Sequence, residues 1–126
     1  MTTLQEDPRR SPVSTDTAEH YGWGDGCDGW HLLRTAGASV IQERMPPGTS
    51  EDRHWHARSH QFFYLLAGSL DIELEGTAHR LTRGMGIEIP PGNAHRVSND
   101  MAGDAEFLVV SVPPSHGDRH AAESAD

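Results

Sequence analysis

GMGIEIPPGNAHRVSN, residues 84–99, sets two short strand-like runs on either side of a Pro-Pro-Gly turn. IEIP (87–90) and HRVSN (95–99) are each too short for a helix and have the composition of strands. The turn between them delivers His95 at the first position of the second run. A second such turn, PPGTS at 46–50, precedes HWHARSHQ at 54–61, where three histidines fall within seven positions. Side chains two apart on a strand share a face, so His54 and His56 point the same way. A closed barrel can bring His95 to the same point, and three neutral imidazoles there suit iron, nickel, copper, zinc or manganese.

The rest of the chain has the same texture. In LDIELEG (70–76), Leu70, Ile72 and Leu74 alternate with Asp71, Glu73 and Glu75, the period of a half-buried strand. QFFYLLAG (61–68) is a more continuous apolar run and reads as a central strand, joined to the next through AGSL. WHLLR, SVIQERM, HRLTRG and FLVVSV complete about eight to ten short strands with no long helix, which predicts an all-β closed barrel or double-sheet jelly roll. PPGTS, PPGNA and VPPSHG become loops at the barrel ends.

The chain of 126 residues suits one domain. Residues 1–20 are polar and proline-bearing and are expected to form a flexible arm, 21–116 the barrel, and 117–126 a fraying tail. A net charge of -9, with ten arginines and no lysine, repels phosphate backbones and acidic lipid and removes Schiff-base chemistry. Nucleic acid and membranes are therefore not expected as partners. Cys27 is the single cysteine, which excludes an internal disulfide or a thiolate zinc cluster and leaves a structural role. The start lacks an apolar signal segment and no apolar run approaches membrane-spanning length, so a cytoplasmic location is expected.

Two segments together resemble the motifs of the cupin superfamily. The first pattern, glycine, five residues, His-x-His, three or four residues, glutamate, six residues, glycine, is met by Gly48, His54, His56 and Gly68, with Gln61 in the glutamate's place. The second is met in full by Gly84, Pro90, Gly92, His95 and Asn99. Five such fixed positions coincide by chance on the order of 10⁻⁶ times per starting point, given average residue usage. The resemblance implies a single-domain double-stranded β-helix, or jelly-roll barrel, of the compact bacterial type. It also implies a divalent metal (Fe, Zn, Mn or Ni) held near the barrel mouth by His54, His56 and His95, with Gln61 as the fourth candidate ligand. An amide oxygen leaves the ion's charge uncompensated. Gln61 can instead orient a bound water, and His60 is a further alternative at the wrong spacing from Gly68.

Strand parity extends the site. Phe63 and Leu65 share the parity of Gln61, and Val97 that of His95, so these are expected to line an apolar pocket. Gln42 and Arg44 are expected to contact substrate. Gln42 and Glu88 are the catalytic candidates, Glu88 as general base. His116 and His120, on the polar tail, read as solvated. The function expected is that of a small metalloenzyme binding an oxygenated organic substrate, dioxygenase-like with iron or isomerase- or lyase-like with zinc, manganese or nickel. The alternative is a non-catalytic module that binds or senses a small ligand. Edge strands of a small barrel need covering, and Trp23 and Trp30, large and with few local partners, suggest a homodimer.

Overall fold

A computed structural model of the chain describes residues 11–123. It contains twelve strands: β1 (Glu19–Trp23), β2 (Cys27–Arg34), β3 (Ser39–Met45), β4 (Thr49–Ser50), β5 (His54–His56), β6 (His60–Ala67), β7 (Ser69–Leu74), β8 (Thr77–Thr82), β9 (Gly86–Ile89), β10 (His95–Asn99), β11 (Ala105–Val112) and β12 (Arg119–Ala121). No helix occurs among the described residues. One antiparallel sheet runs β1-β2-β3-β11-β6-β9 and faces a second, β12-β5-β10-β7-β8, with β4 paired to β10. The all-β jelly roll is as expected.

Alternation builds the interior. On β6, Gln61, Phe63 and Leu65 point inward while Phe62 and Tyr64 are exposed, so the continuous apolar run is a two-faced strand and not one covered on both sides. Ala105, Phe107, Val109 and Ser111 of the neighbouring strand β11 lie beside them on the same inward face. Phe107, Met45, Leu65, Leu70, Ile72, Ile89 and Val97 close one half of the barrel as a dry core. Apolar burial of this kind supplies most of the driving force for the fold. His54, His56, Gln61 and Ser111 gather in the other half. Gly68 makes the tight β6–β7 connection at φ 80°, and a side chain there would overlap the Asp104 carbonyl, so the motif glycine serves backbone approach.

Both ends of the barrel differ from the expected boundaries. β1 begins at Glu19, inside the expected arm; residues 1–10 lie outside the described residues. The tail does not fray at 117. Asp118 is buried and β12 pairs with β5, Arg119 opposite His56 and Ala121 opposite His54, while 124–126 lie outside the described residues. A polar composition predicted fraying because it offers little apolar burial; what holds this segment is instead a buried carboxylate on three backbone amides. The Asp118 carboxylate accepts the N–H groups of Ala57, Arg58 and Ser59 at 3.0, 2.9 and 2.9 Å.

Candidate metal centre

His54 and His95 are direct partners across β5 and β10, and His56 follows His54 on the same face. Their ring centroids stand 4.4 Å (His54–His95), 4.9 Å (His54–His56) and 5.6 Å (His56–His95) apart. One ligand nitrogen from each lies within 4.8 Å of the others, and all three side chains are buried. These three histidines could hold a metal ion.

Each ring is oriented by its other nitrogen. Nδ1–H of His54 donates to the Asp52 carbonyl at 2.8 Å, that of His56 to the Asp118 carbonyl at 2.8 Å and that of His95 to the Asn93 carbonyl at 3.0 Å. This selects the tautomer whose Nε2 carries a lone pair, the usual support of a metal-binding imidazole. Nε2 of His56 and of His95 is buried with no hydrogen-bond partner, and so is Oε1 of Gln61. Buried polar atoms are rarely left unpaired, and the free imidazole nitrogens of the cluster suit a bound cation. Nε2 of Gln61 donates to Ser111 Oγ at 3.0 Å, which leaves its oxygen as the free end. Burial holds the His54 imidazole far below its usual range, at about 3, and lowers His56 and His95 as well. All three are therefore neutral at pH 7, as ligands must be.

The cluster opens on a cavity of about 340 Å³ whose walls include Tyr21, Ile41, Glu43, Glu51, Gln61, Phe63 and Arg119. Burial pushes the Glu43 carboxyl up to about 7 and Glu51 to about 8, the latter also through the charge of Glu43. Burial and the Glu43 charge push the Tyr21 phenol well above its ordinary value. Glu51 is held in place: Oε1 accepts the Val97 N–H at 3.1 Å and lies 3.8 Å from His54 Nδ1, and Oε2 lies 3.9 Å from Arg119.

Of the sequence candidates, His54, His56, Gln61 and Phe63 line this cavity, and His95, fully buried, joins them through the histidine cluster. Leu65 and Val97 share their parity but lie deeper, 0% and 1% exposed, in the dry core and not on the cavity wall. Gln42 and Arg44 are on the outer face of β3. Arg44 there binds Asp28 at 2.7 Å, Asp104 at 3.2 Å and the Gly26 carbonyl. The inward positions of β3 are Ile41 and Glu43, in phase with buried Ser39 and Met45, and the apolar Ile41 and Met45 already marked that phase. Glu88 is likewise outside: its carboxylate is exposed and 2.8 Å from Nε2 of His60, an out-facing pair that also takes His60 away from the cluster. His120 stacks on Trp55, and His116 reaches the cavity wall. Trp23 packs on the core and donates its indole N–H to the Asp28 carbonyl, so it has partners within the chain.

Fold and site thus define a small jelly-roll barrel with a buried, neutral three-histidine cluster and an amide beside it. Residues 41–111 match the family model described as a cupin domain, and the chain belongs to that family. Among its relatives are Protein SchB of Streptomyces halstedii, 36% identical over 74 residues (59% of this chain, 49% of that one), and Polyketide synthase CurC of Streptomyces cyaneus, 35% over 66 residues (52% and 42%). The chain thus spans about half the length of these relatives or less. In structure it is similar to the polyketide cyclase RemF from Streptomyces resistomycificus, with a TM-score of 0.74 and 19% identity over 90% of this chain and 86% of that one.

Proposed function

We propose that the chain is a metal-dependent enzyme acting on a small, enolisable oxygenated substrate of the polyketide-like class. The observation that carries this reading is the set of unpaired donors, Nε2 of His56 and His95 and Oε1 of Gln61, gathered with His54 beside a cavity of about 340 Å³. His54, His56 and His95 would hold a divalent Fe, Zn, Mn or Ni ion, with Gln61 as the fourth donor. Bound by neutral ligands only, such an ion supplies a Lewis acid that polarises a substrate carbonyl. The chain's own residues do the rest. Phe63, Ile41 and Val109 give the cavity apolar walls that exclude water. The Asp52, Asn93 and Asp118 carbonyls keep the imidazoles in register. The names of the relative CurC and of RemF support a polyketide-like substrate.

Elemental analysis of protein purified without a histidine tag tests the reading. Near-stoichiometric metal in wild type, lost in His95→Ala, is expected; no metal even after reconstitution refutes it. Metal retention in Gln61→Ala would place the amide outside the essential donors. Oxygen consumption on iron loading with a diketone selects dioxygenase-like chemistry, whereas binding without turnover across a diketone and hydroxyketone panel selects the non-catalytic module. We further propose a cytoplasmic homodimer. The dimer is supported by Phe62, Tyr64 and Val112, which make an exposed apolar face on the β1-β2-β3-β11-β6-β9 sheet. Sedimentation at micromolar concentration that gives a monomer removes the dimer.

A further inference from the structure

Two carboxyl groups reach the cavity, and they are not equivalent. Glu51 is engaged by a backbone amide, by the edge of His54 and by Arg119. Glu43 has a single described hydrogen bond, from the Tyr21 hydroxyl at 3.4 Å, and no cation within ion-pair distance among the described residues. It projects from β3 into the same cavity as His54, His56 and Gln61.

The contact with Tyr21 is built into the sheet. Tyr21, Gly29 and Glu43 form one cross-strand row over β1, β2 and β3. A side chain at position 29 would overlap the Tyr21 ring, so the glycine is the gap through which the phenol crosses β2 to reach the carboxyl. Tyr21 and Gly29 both lie outside the segment matched by the family model. The groups facing Glu43 are thus Tyr21 from β1, Glu51 after β4 and, at longer range, Arg119 from β12. A carboxyl with one neutral donor and an open side toward a ligand cavity is equipped to move a proton.

We propose that Glu43, positioned by Tyr21, is the catalytic residue that takes a carbon-bound proton from the substrate and returns it. This rests on the reading of an enolisable substrate above. The free oxygen of Glu43 takes the proton from the carbon beside the substrate carbonyl. The C–H electron pair becomes the new C=C bond, and the carbonyl π pair moves onto the carbonyl oxygen at the histidine end of the cavity. Delivery of the same proton to carbon reverses the step or completes an isomerisation, so no oxidant or co-reactant is needed. Burial, which holds the carboxyl at about 7, poises it between base and acid at neutral pH.

The test uses zinc-loaded full-length protein in D₂O with hydroxyacetone as probe, following loss of carbon-bound protons by NMR. Wild type is expected to catalyse exchange, and Glu43→Gln to lose at least ~100-fold of the rate with unchanged zinc content. Tyr21→Phe removes the bond that favours the carboxylate, so its pH–rate midpoint moves up while the plateau stays. A second readout needs no substrate. A carboxyl raised from about 4.5 to about 7 costs stability as pH rises through that interval, so Glu43→Gln should melt higher than wild type at pH 8, on the order of 5–10 °C, and match it at pH 4.5. Zinc-loaded wild type that exchanges nothing overturns the enolisable-substrate reading and this inference with it. Exchange by Glu43→Gln within twofold of wild type, or a lower melting temperature at pH 8, overturns this inference alone.

Discussion

Replacing Gln61 by glutamate should make the protein less stable without metal and bind metal more tightly, a reversal of sign that only a side chain facing the ion can produce. Position 61 is 5% exposed, and its Oε1 has no partner. Ser111 Oγ, which accepts from the amide, can turn its hydroxyl to donate to a carboxylate, so that contact survives. The charge does not fare as well. The same cavity raises Glu43 to about 7 and Glu51 to about 8 from an ordinary 4.5. A like shift at position 61 costs ~3 kcal/mol at pH 7, at 1.36 kcal/mol per pH unit. For a chain of this size that lowers the melting temperature by ~10 °C. The cost is absent below pH ~4.5, where the carboxyl is protonated in both folded and unfolded states, and reaches its full value near pH 7.

With a divalent ion the balance inverts. Unit charges 4 Å apart attract by ~4 kcal/mol at an effective dielectric of about 20, and a double charge doubles this, which exceeds the burial cost. Loaded Gln61→Glu should therefore melt at or above loaded wild type, and its metal affinity should rise at least ~tenfold. Differential scanning calorimetry of stripped and zinc-loaded protein at pH 5 and pH 7, with chelator competition for affinity, measures each arm. Unchanged stability of the stripped variant together with unchanged zinc affinity would refute the proposal that Gln61 is the fourth donor.

Asp118→Ala removes the carboxylate that holds residues 57–59 and loosens the carbonyl that orients His56, so zinc affinity should drop ~10–100-fold, read by chelator competition. Phe107→Ala, at a fully buried position stacked on Phe63, should cost ~3–5 kcal/mol in urea denaturation with the metal stoichiometry retained in folded protein. Arg44→Ala and Glu88→Gln, both on the outer face, should leave zinc content and hydroxyacetone exchange within twofold of wild type.

The alternation in LDIELEG and the two Pro-Gly turns were enough to specify an all-β barrel, because strand period and turn chemistry are local properties of the chain. The histidines were legible for the same reason. His54 and His56 are two apart, and His95 follows a turn, so facing direction and position along the strand follow from near neighbours alone. Parity also placed Gln61 and Phe63 inward. Polarity is the poorer guide at Gln42, Arg44 and Glu88: the apolar Ile41 and Met45 set the inward face of β3, and Glu43 shares it. Leu65 and Val97 face inward as expected, but depth along the barrel, which decides core against cavity, has no signature in alternation.

What the sequence by itself determined is the class of the fold and three of the groups at its centre, because each rests on residues a few positions apart. Only the tertiary structure decided which groups surround them. Asp118 is 62 residues from His56 yet orients it, Tyr21 meets Glu43 across the gap at Gly29, and the polar C-terminal segment becomes a strand by pairing with β5. Contacts of that kind depend on how the barrel closes, and closure brings together residues whose local composition carries no mark of the partner they will meet.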